Sequence, residues 1–147
     1  MSEDWRDRLV TDPDAIARIV RACTRIAVLG MKTEAQRGQP AFYVPEYMAK
    51  AGYDIVPVPV YYPTVTRILD RPVFRAVRDV PPPIDMVNVF RRSHDIPPHV
   101  EDIVAARPRV VWFQLGIRND AAAETFARAG IEVVQDRCLL VEHRRLR

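Results

Sequence analysis

The residues with most chemical potential lie between positions 30 and 40. There Gly30 ends the apolar run Ile26, Ala27, Val28, Leu29 and leads into Met31, Lys32, Arg37 and Pro40. Four consecutive apolar residues suit a strand buried on both faces, and a glycine at its end lets backbone N–H groups approach an anion held at the next helix N-terminus. Lys32 and Arg37 can both reach phosphate oxygens, Arg37 through a bidentate fork. The same spacing also fits an ordinary strand-to-turn junction with Lys32 and Arg37 as solvated loop charges.

Such a loop needs a strand before it and a helix after it, and the chain supplies both. Ile16, Ile19 and Val20 at helical spacing predict a helix over 14–22, with Thr11 or Asp12 as cap and Pro13 at its first position. A helix over 42–51 ends at Gly52, and Pro45 limits it to its first turn or shortens it. Residues 54–60 form a second strand. Pro57 and Pro59 lack ladder donors, so it ends near Pro57 or pairs incompletely. Residues 61–83 are the least regular part, with a short extended piece at 72–74 and a helical turn within 74–80. Strands over 85–90, 109–115 and 131–134 then alternate with helices over 98–106 and from Asn119 or Asp120 to 129. Right-handed βαβ units of this kind make an α/β fold: a Rossmann-like, doubly wound, mostly parallel sheet of about five strands in three αβα layers.

Ligands of such sheets sit beyond the carboxyl ends of the strands, where the order reverses. That rule nominates 30–40, 58–60, 90–92, 115–117 and 136–138. A dinucleotide is disfavoured, because G-x-G-x-x-G is absent and no acid follows the second strand, which reads Pro57-Val58-Pro59-Val60. A long loop carrying Lys32 and Arg37 suits a ligand with more phosphate charge, and coenzyme A, with a pyrophosphate and a ribose phosphate, fits.

The order of Val28-Leu29-Gly30, Arg37 with Pro40, Gly52-Tyr53, Pro57-Val58, Asp85 with Val89-Phe90-Arg91, Trp112 with Gln114 and Gly116, and Asp136-Arg137-Cys138 resembles the small stand-alone CoA-binding proteins of bacteria and archaea. These are similar to the N-terminal CoA-binding domain of the succinyl-CoA synthetase alpha subunit. The resemblance runs over about 16–146 and implies a Rossmann-like fold that binds coenzyme A or an acyl-CoA. By position, the loop with Gly30, Met31, Lys32, Arg37 and Pro40 would hold phosphates. Val58, Phe90 and Arg91 would flank the adenine and pantetheine path, and Leu115 and Gly116 would approach by backbone. Where the family usually has Asn-Pro, this chain has Pro59-Val60, so Pro59 keeps the contact position without the asparagine hydrogen bond. Cys138 is either a thiol able to form a mixed disulfide with CoA or a partly buried cysteine at a strand end.

The chain has 147 residues, 48% of them hydrophobic, which predicts one domain, with 1–11 and 144–147 as flexible tails. The thirteen prolines punctuate the apolar runs rather than marking disorder. Of the net charge of +3, Arg144, Arg145 and Arg147 account for all, so charge does not argue for a nucleic-acid partner. Cys23 and Cys138 form no metal motif with His94, His99 and His143. No apolar run is long enough for a membrane span and the N-terminus is acidic, so a cytoplasmic protein is expected. His94 and His99 read as surface or capping residues, and Arg91 and Arg92 either bind phosphate or pair with Asp85, Asp95 or Asp136. No nucleophile sits at a strained turn and no acids are paired for proton transfer, which favours a binding protein over an enzyme acting alone. A homodimer or a larger synthetase partner stays open, as does an NAD(P)-linked oxidoreductase.

Overall fold

The computed structural model describes residues 4–146. In chain order the elements are α1 (Pro13–Ala22), β1 (Arg25–Leu29), α2 (Pro40–Lys50), β2 (Asp54–Val58), β3 (Arg67–Ile68) and β4 (Arg71–Pro72). Then come β5 (Met86–Val89), α3 (Val100–Ala106), β6 (Val110–Phe113), α4 (Asp120–Arg128), β7 (Glu132–Val134) and α5 (Leu139–Arg144). Five strands form a wholly parallel sheet in the order β2-β1-β5-β6-β7, while β3 and β4 pair as a separate antiparallel hairpin. The order reverses between β1 and β5, so the switch point lies above those two strands.

Alternation along the strands builds two cores. Ile26 and Val28 of β1, Met86 of β5 and Trp112 of β6 face α1, α2 and α5, where Ile16, Val20, Phe42, Met48 and Leu139 meet them. Ala27 and Leu29, Val87 and Val89, and Val111 and Phe113 face the other way, onto Ile103 of α3 and Phe126 of α4. Burying each such aliphatic or aromatic side chain contributes about 1.5–3 kcal/mol. The expected three-layer Rossmann-like α/β architecture is the one observed.

Local chemistry explains the element ends. Asp12 caps α1 by accepting the Ala15 N–H at 3.0 Å, with Pro13 at the first helical position. Asn119 does the same for α4 through the Ala122 N–H. Pro57 does not end β2. Its carbonyl accepts the Phe74 N–H at 3.0 Å on the outer edge, so its donor-less nitrogen also faces that edge, where no inner ladder bond is lost.

Three expectations are corrected. Residues 4–11 are not a tail: Trp5–Arg8 form a 3-10 turn, and Val10 donates to the Val133 carbonyl at 2.8 Å, covering the free edge of β7. At the other end Arg144 closes α5 and Leu146 packs against the core, while residues 1–3 and 147 lie outside the described residues. Pro45 does not shorten α2, which starts at Pro40 and runs through it. A proline at position 45 cannot donate to the Ala41 carbonyl four residues back. That carbonyl instead accepts the Lys32 N–H at 3.1 Å, so the helix defect ties down the loop after β1.

Candidate functional site

Gly30 turns the chain out of β1 with a φ of +84°, and its N–H still donates to the Val58 carbonyl at 2.9 Å. A Cβ at this position would lie 2.5 Å from the Phe90 carbonyl oxygen, so only glycine lets the loops after β1 and β5 meet at the switch point. Beyond it the loop is hydrogen-bonded within itself and to the β3–β4 turn. Thr33 and Gln36 form a reciprocal cap around the 3-10 turn Glu34–Gln36, with Gln36 Oε1 accepting the Thr33 N–H at 3.0 Å. Glu34 accepts the Leu69 N–H at 2.8 Å. Leu69 and Asp70 both have positive φ in the two-residue turn between β3 and β4, a strained conformation for leucine that its packing against the core sustains.

A cleft of about 560 Å³ opens at the carboxyl ends of β1, β5 and β6. Seven residues expected at the site line it: Gly30, Lys32 and Pro40 on one side, Phe90 and Arg91 above β5, and Leu115 and Gly116 above β6. Five do not line it. Met31 and Val58 are wholly buried in the two cores, and Pro59 is buried beside them. Arg37 points outward, paired with Glu46 at 3.5 Å and lying over the Phe42 ring. Cys138 is the half-buried residue that precedes α5. Of the residues that sequence reasoning left out of the site, Tyr61, Arg92 and Gln114 matter most. Arg92 lies in a nominated segment, Tyr61 is one residue past one, and Gln114 reads from sequence as strand interior.

The charges are unevenly matched. Lys32 Nζ hydrogen-bonds the neutral Gln39 side chain, and the exposed Arg92 side chain has no partner among the described residues. Arg91 is held on several sides, with 15% of its side chain exposed. It donates from Nε to His99 Nε2 at 3.3 Å and from a terminal nitrogen to the Tyr61 hydroxyl at 3.3 Å, and it lies 4.0 Å from Asp95. His99 is half-buried and holds the N-cap position of α3, but its side chain makes no cap bond and instead accepts from Arg91, as only a neutral imidazole can. Burial first, and the Arg91 charge second, push its pKa below the ordinary histidine value. Arg75 in turn clamps the segment carrying Tyr61, donating to the carbonyls of Tyr61, Tyr62 and Val65.

The remaining wall is apolar and partly spoken for. Tyr61 and Leu115 are 61% and 64% exposed, the two most exposed large hydrophobic residues described, and both line the cleft. The Gly116 N–H already donates to Asp136 Oδ1 at 2.7 Å, so this backbone donor is not free for a ligand. The Ala41 N–H, in the first turn of α2, has no acceptor among the described residues. Among those residues no cluster of three His, Cys, Asp or Glu side chains is placed to hold a metal, and no helix is long and apolar enough to cross a membrane. The arrangement provides an open cleft with surplus positive charge, exposed apolar surface and a free helix-end donor, which suits a ligand both anionic and partly apolar.

Known proteins resemble this chain over most of its length. The family model described as the CoA binding domain matches residues 24–144. A Bacillus subtilis (strain 168) protein named only as uncharacterized YneT is 34% identical over 128 residues, covering 87% of this chain and 91% of its own length. A Thermus thermophilus structure, cell-free ID.343, superposes with a TM-score of 0.84 at 33% identity, over 93% of this chain and 100% of that one. A hypothetical protein from Pyrococcus horikoshii OT3 gives 0.82 at 29% identity over 99% of each chain. The chain belongs to the CoA binding domain family.

Proposed function

We propose that this member of the CoA binding domain family holds coenzyme A, free or acylated, in the cleft above the β1/β5 switch point. The carrying observation is the imbalance of charge there: Lys32, Arg91 and Arg92 line the cleft against a single acid, Asp95. Lys32 and Arg92, which have no carboxylate partner, meet the phosphates, and Arg91 is braced by His99 and Asp95 to present its remaining N–H groups. Tyr61 and Leu115 offer flat apolar surface to the adenine or the thiol-bearing arm. The lack of both the dinucleotide glycine pattern and an acid at the end of β2 weighs against a nicotinamide cofactor. On this reading the chain binds its ligand rather than turning it over alone.

Calorimetric titration in reductant with CoA, dephospho-CoA and NAD tests this. CoA should bind one site, dephospho-CoA more weakly, and NAD weakest of the three. A ligand at 100 times its Kd should raise stability by about 2.7 kcal/mol in a thermal shift. Saturable NAD binding without CoA binding would overturn the proposal.

A further inference from the structure

The floor of the cleft holds a donor that the protein leaves unused. Gln114 follows β6, is 3% exposed and lines the cleft. Its Oε1 accepts from Asn88 Nδ2 at 3.3 Å and from the Leu139 N–H, at the start of α5, at 3.4 Å. Asn88, itself 1% exposed, also donates from Nδ2 to the Trp112 carbonyl at 3.4 Å. These contacts fix both amides. Flipping Gln114 would set its NH2 group against two donors, and flipping Asn88 would set its oxygen against two acceptors. Gln114 Nε2 has no partner among the described residues, and none of their sealed side-chain nitrogens or oxygens lacks one. Nε2 therefore reaches open space, and the open space that Gln114 lines is the cleft.

We infer that Gln114 is the residue that reads the thiol-bearing arm of the ligand, donating from Nε2 to an uncharged carbonyl oxygen of that arm. This rests on the CoA reading. An N–H held in a nearly buried position without an acceptor is costly, so an occupant that supplies an acceptor is favoured over one that does not. The neutral donor shares the cleft with the apolar Phe90, Leu115 and Ile117, while the cationic side chains of the same cleft compete for any phosphate. Placing a phosphate against an uncharged amide in apolar surroundings would forfeit much of its solvation for one neutral hydrogen bond; a carbonyl loses far less. Both the amide carbonyls of the pantetheine arm and the thioester carbonyl of an acyl-CoA have the required chemistry.

The test measures Gln114→Met against the wild-type chain with three ligands: CoA, acetyl-CoA and 3′-phospho-ADP, which has the phosphates and adenosine but no arm. Methionine keeps the size and removes the donor. Acetyl-CoA affinity should fall about tenfold while 3′-phospho-ADP affinity holds, a change in ratio that general loosening of the cleft would not produce. A loss confined to acetyl-CoA assigns the thioester carbonyl, which free CoA lacks; an equal loss with CoA assigns an arm amide. An unchanged ratio overturns the inference and leaves the CoA reading intact, whereas a wild-type chain that binds none of the three overturns the CoA reading itself. Should the variant not fold, the side-chain amide resonances of Gln114 in the wild-type protein decide. They should shift with acetyl-CoA and stay in place with 3′-phospho-ADP, and no shift with acetyl-CoA, or the same shift with 3′-phospho-ADP, overturns the inference.

Discussion

The two ends of one sheet treat their polar groups in opposite ways. At the amino end Asp85 accepts the N–H groups of Thr24 and Arg25, both at 2.9 Å, and the Thr24 hydroxyl at 3.0 Å, with Arg109 at 3.8 Å. Beside it Asp54 takes Arg25 and Arg71, and Arg25 also donates to the Pro81 and Pro83 carbonyls. Burial pushes the Asp85 carboxyl up, but the hydrogen bonds from Arg25 and Thr24 outweigh it and hold its pKa below the ordinary value. Every one of these groups is answered within the chain. At the carboxyl end Arg92, Gln114 Nε2 and the Ala41 N–H have no partner among the described residues, and Lys32 meets a neutral amide. The closed end contributes stability, and the open end, on the proposed reading, holds polar groups in reserve for the ligand.

The contrast can be broken most severely at the closed end. Asp85→Ala should cost about 1–3 kcal/mol in urea denaturation, because it removes the acceptor of the part-buried Arg25 N–H and of the exposed Thr24 N–H; a loss below about 0.5 kcal/mol would erase the distinction between the ends. Since folding lowers the Asp85 pKa, its contribution is present at neutral pH and fades as the pH falls through and below 3.8, a loss the variant should not show. At the open end Lys32→Ala with Arg92→Ala should weaken CoA binding about 30-fold, with a shallower salt dependence and little change in melting temperature.

His99 sharpens the comparison further. Its pKa is lowered, so the unfolded chain takes up a proton first, and stability falls as the pH drops through the ordinary value of 6.5. Protonated His99 cannot accept from Arg91. Affinity for dephospho-CoA, whose pyrophosphate does not titrate in this range, should therefore fall about threefold between pH 7 and pH 5, and His99→Asn should flatten that profile. The smallest effect is expected at Arg37→Ala, less than about twofold in CoA affinity, because it breaks only an exposed pair with Glu46 and a contact over the Phe42 ring, both outside the cleft.

The layers and crossovers were legible because period and punctuation agree: Ile16, Ile19 and Val20 after Asp12-Pro13, or Asn119 before α4 and Gly130 after it. The switch-point rule brought seven of twelve expected residues to the cleft. The failures have one cause, since a rule that names loops does not say which side chains turn inward. Met31 and Val58 alternate into the cores, Arg37 is drawn off by Glu46 on the next helix, and Gln114 depends on Asn88 and Leu139, each about 25 residues distant. The β3–β4 hairpin was hidden because its turn uses Leu69-Asp70, where a sequence reader looks for Asn-Gly.

Pro45 has a consequence for anyone who would improve this protein. Judged by helix propensity alone it is the worst residue in α2, and Pro45→Ala would be an early choice for raising thermal tolerance. The alanine N–H would compete with Lys32 for the Ala41 carbonyl, and each gain in helix regularity would slacken the segment that lines the cleft. A stabilised variant selected by heat alone would thus drift toward a sturdier scaffold with a looser grip, so a selection for robustness should carry ligand retention as a second criterion.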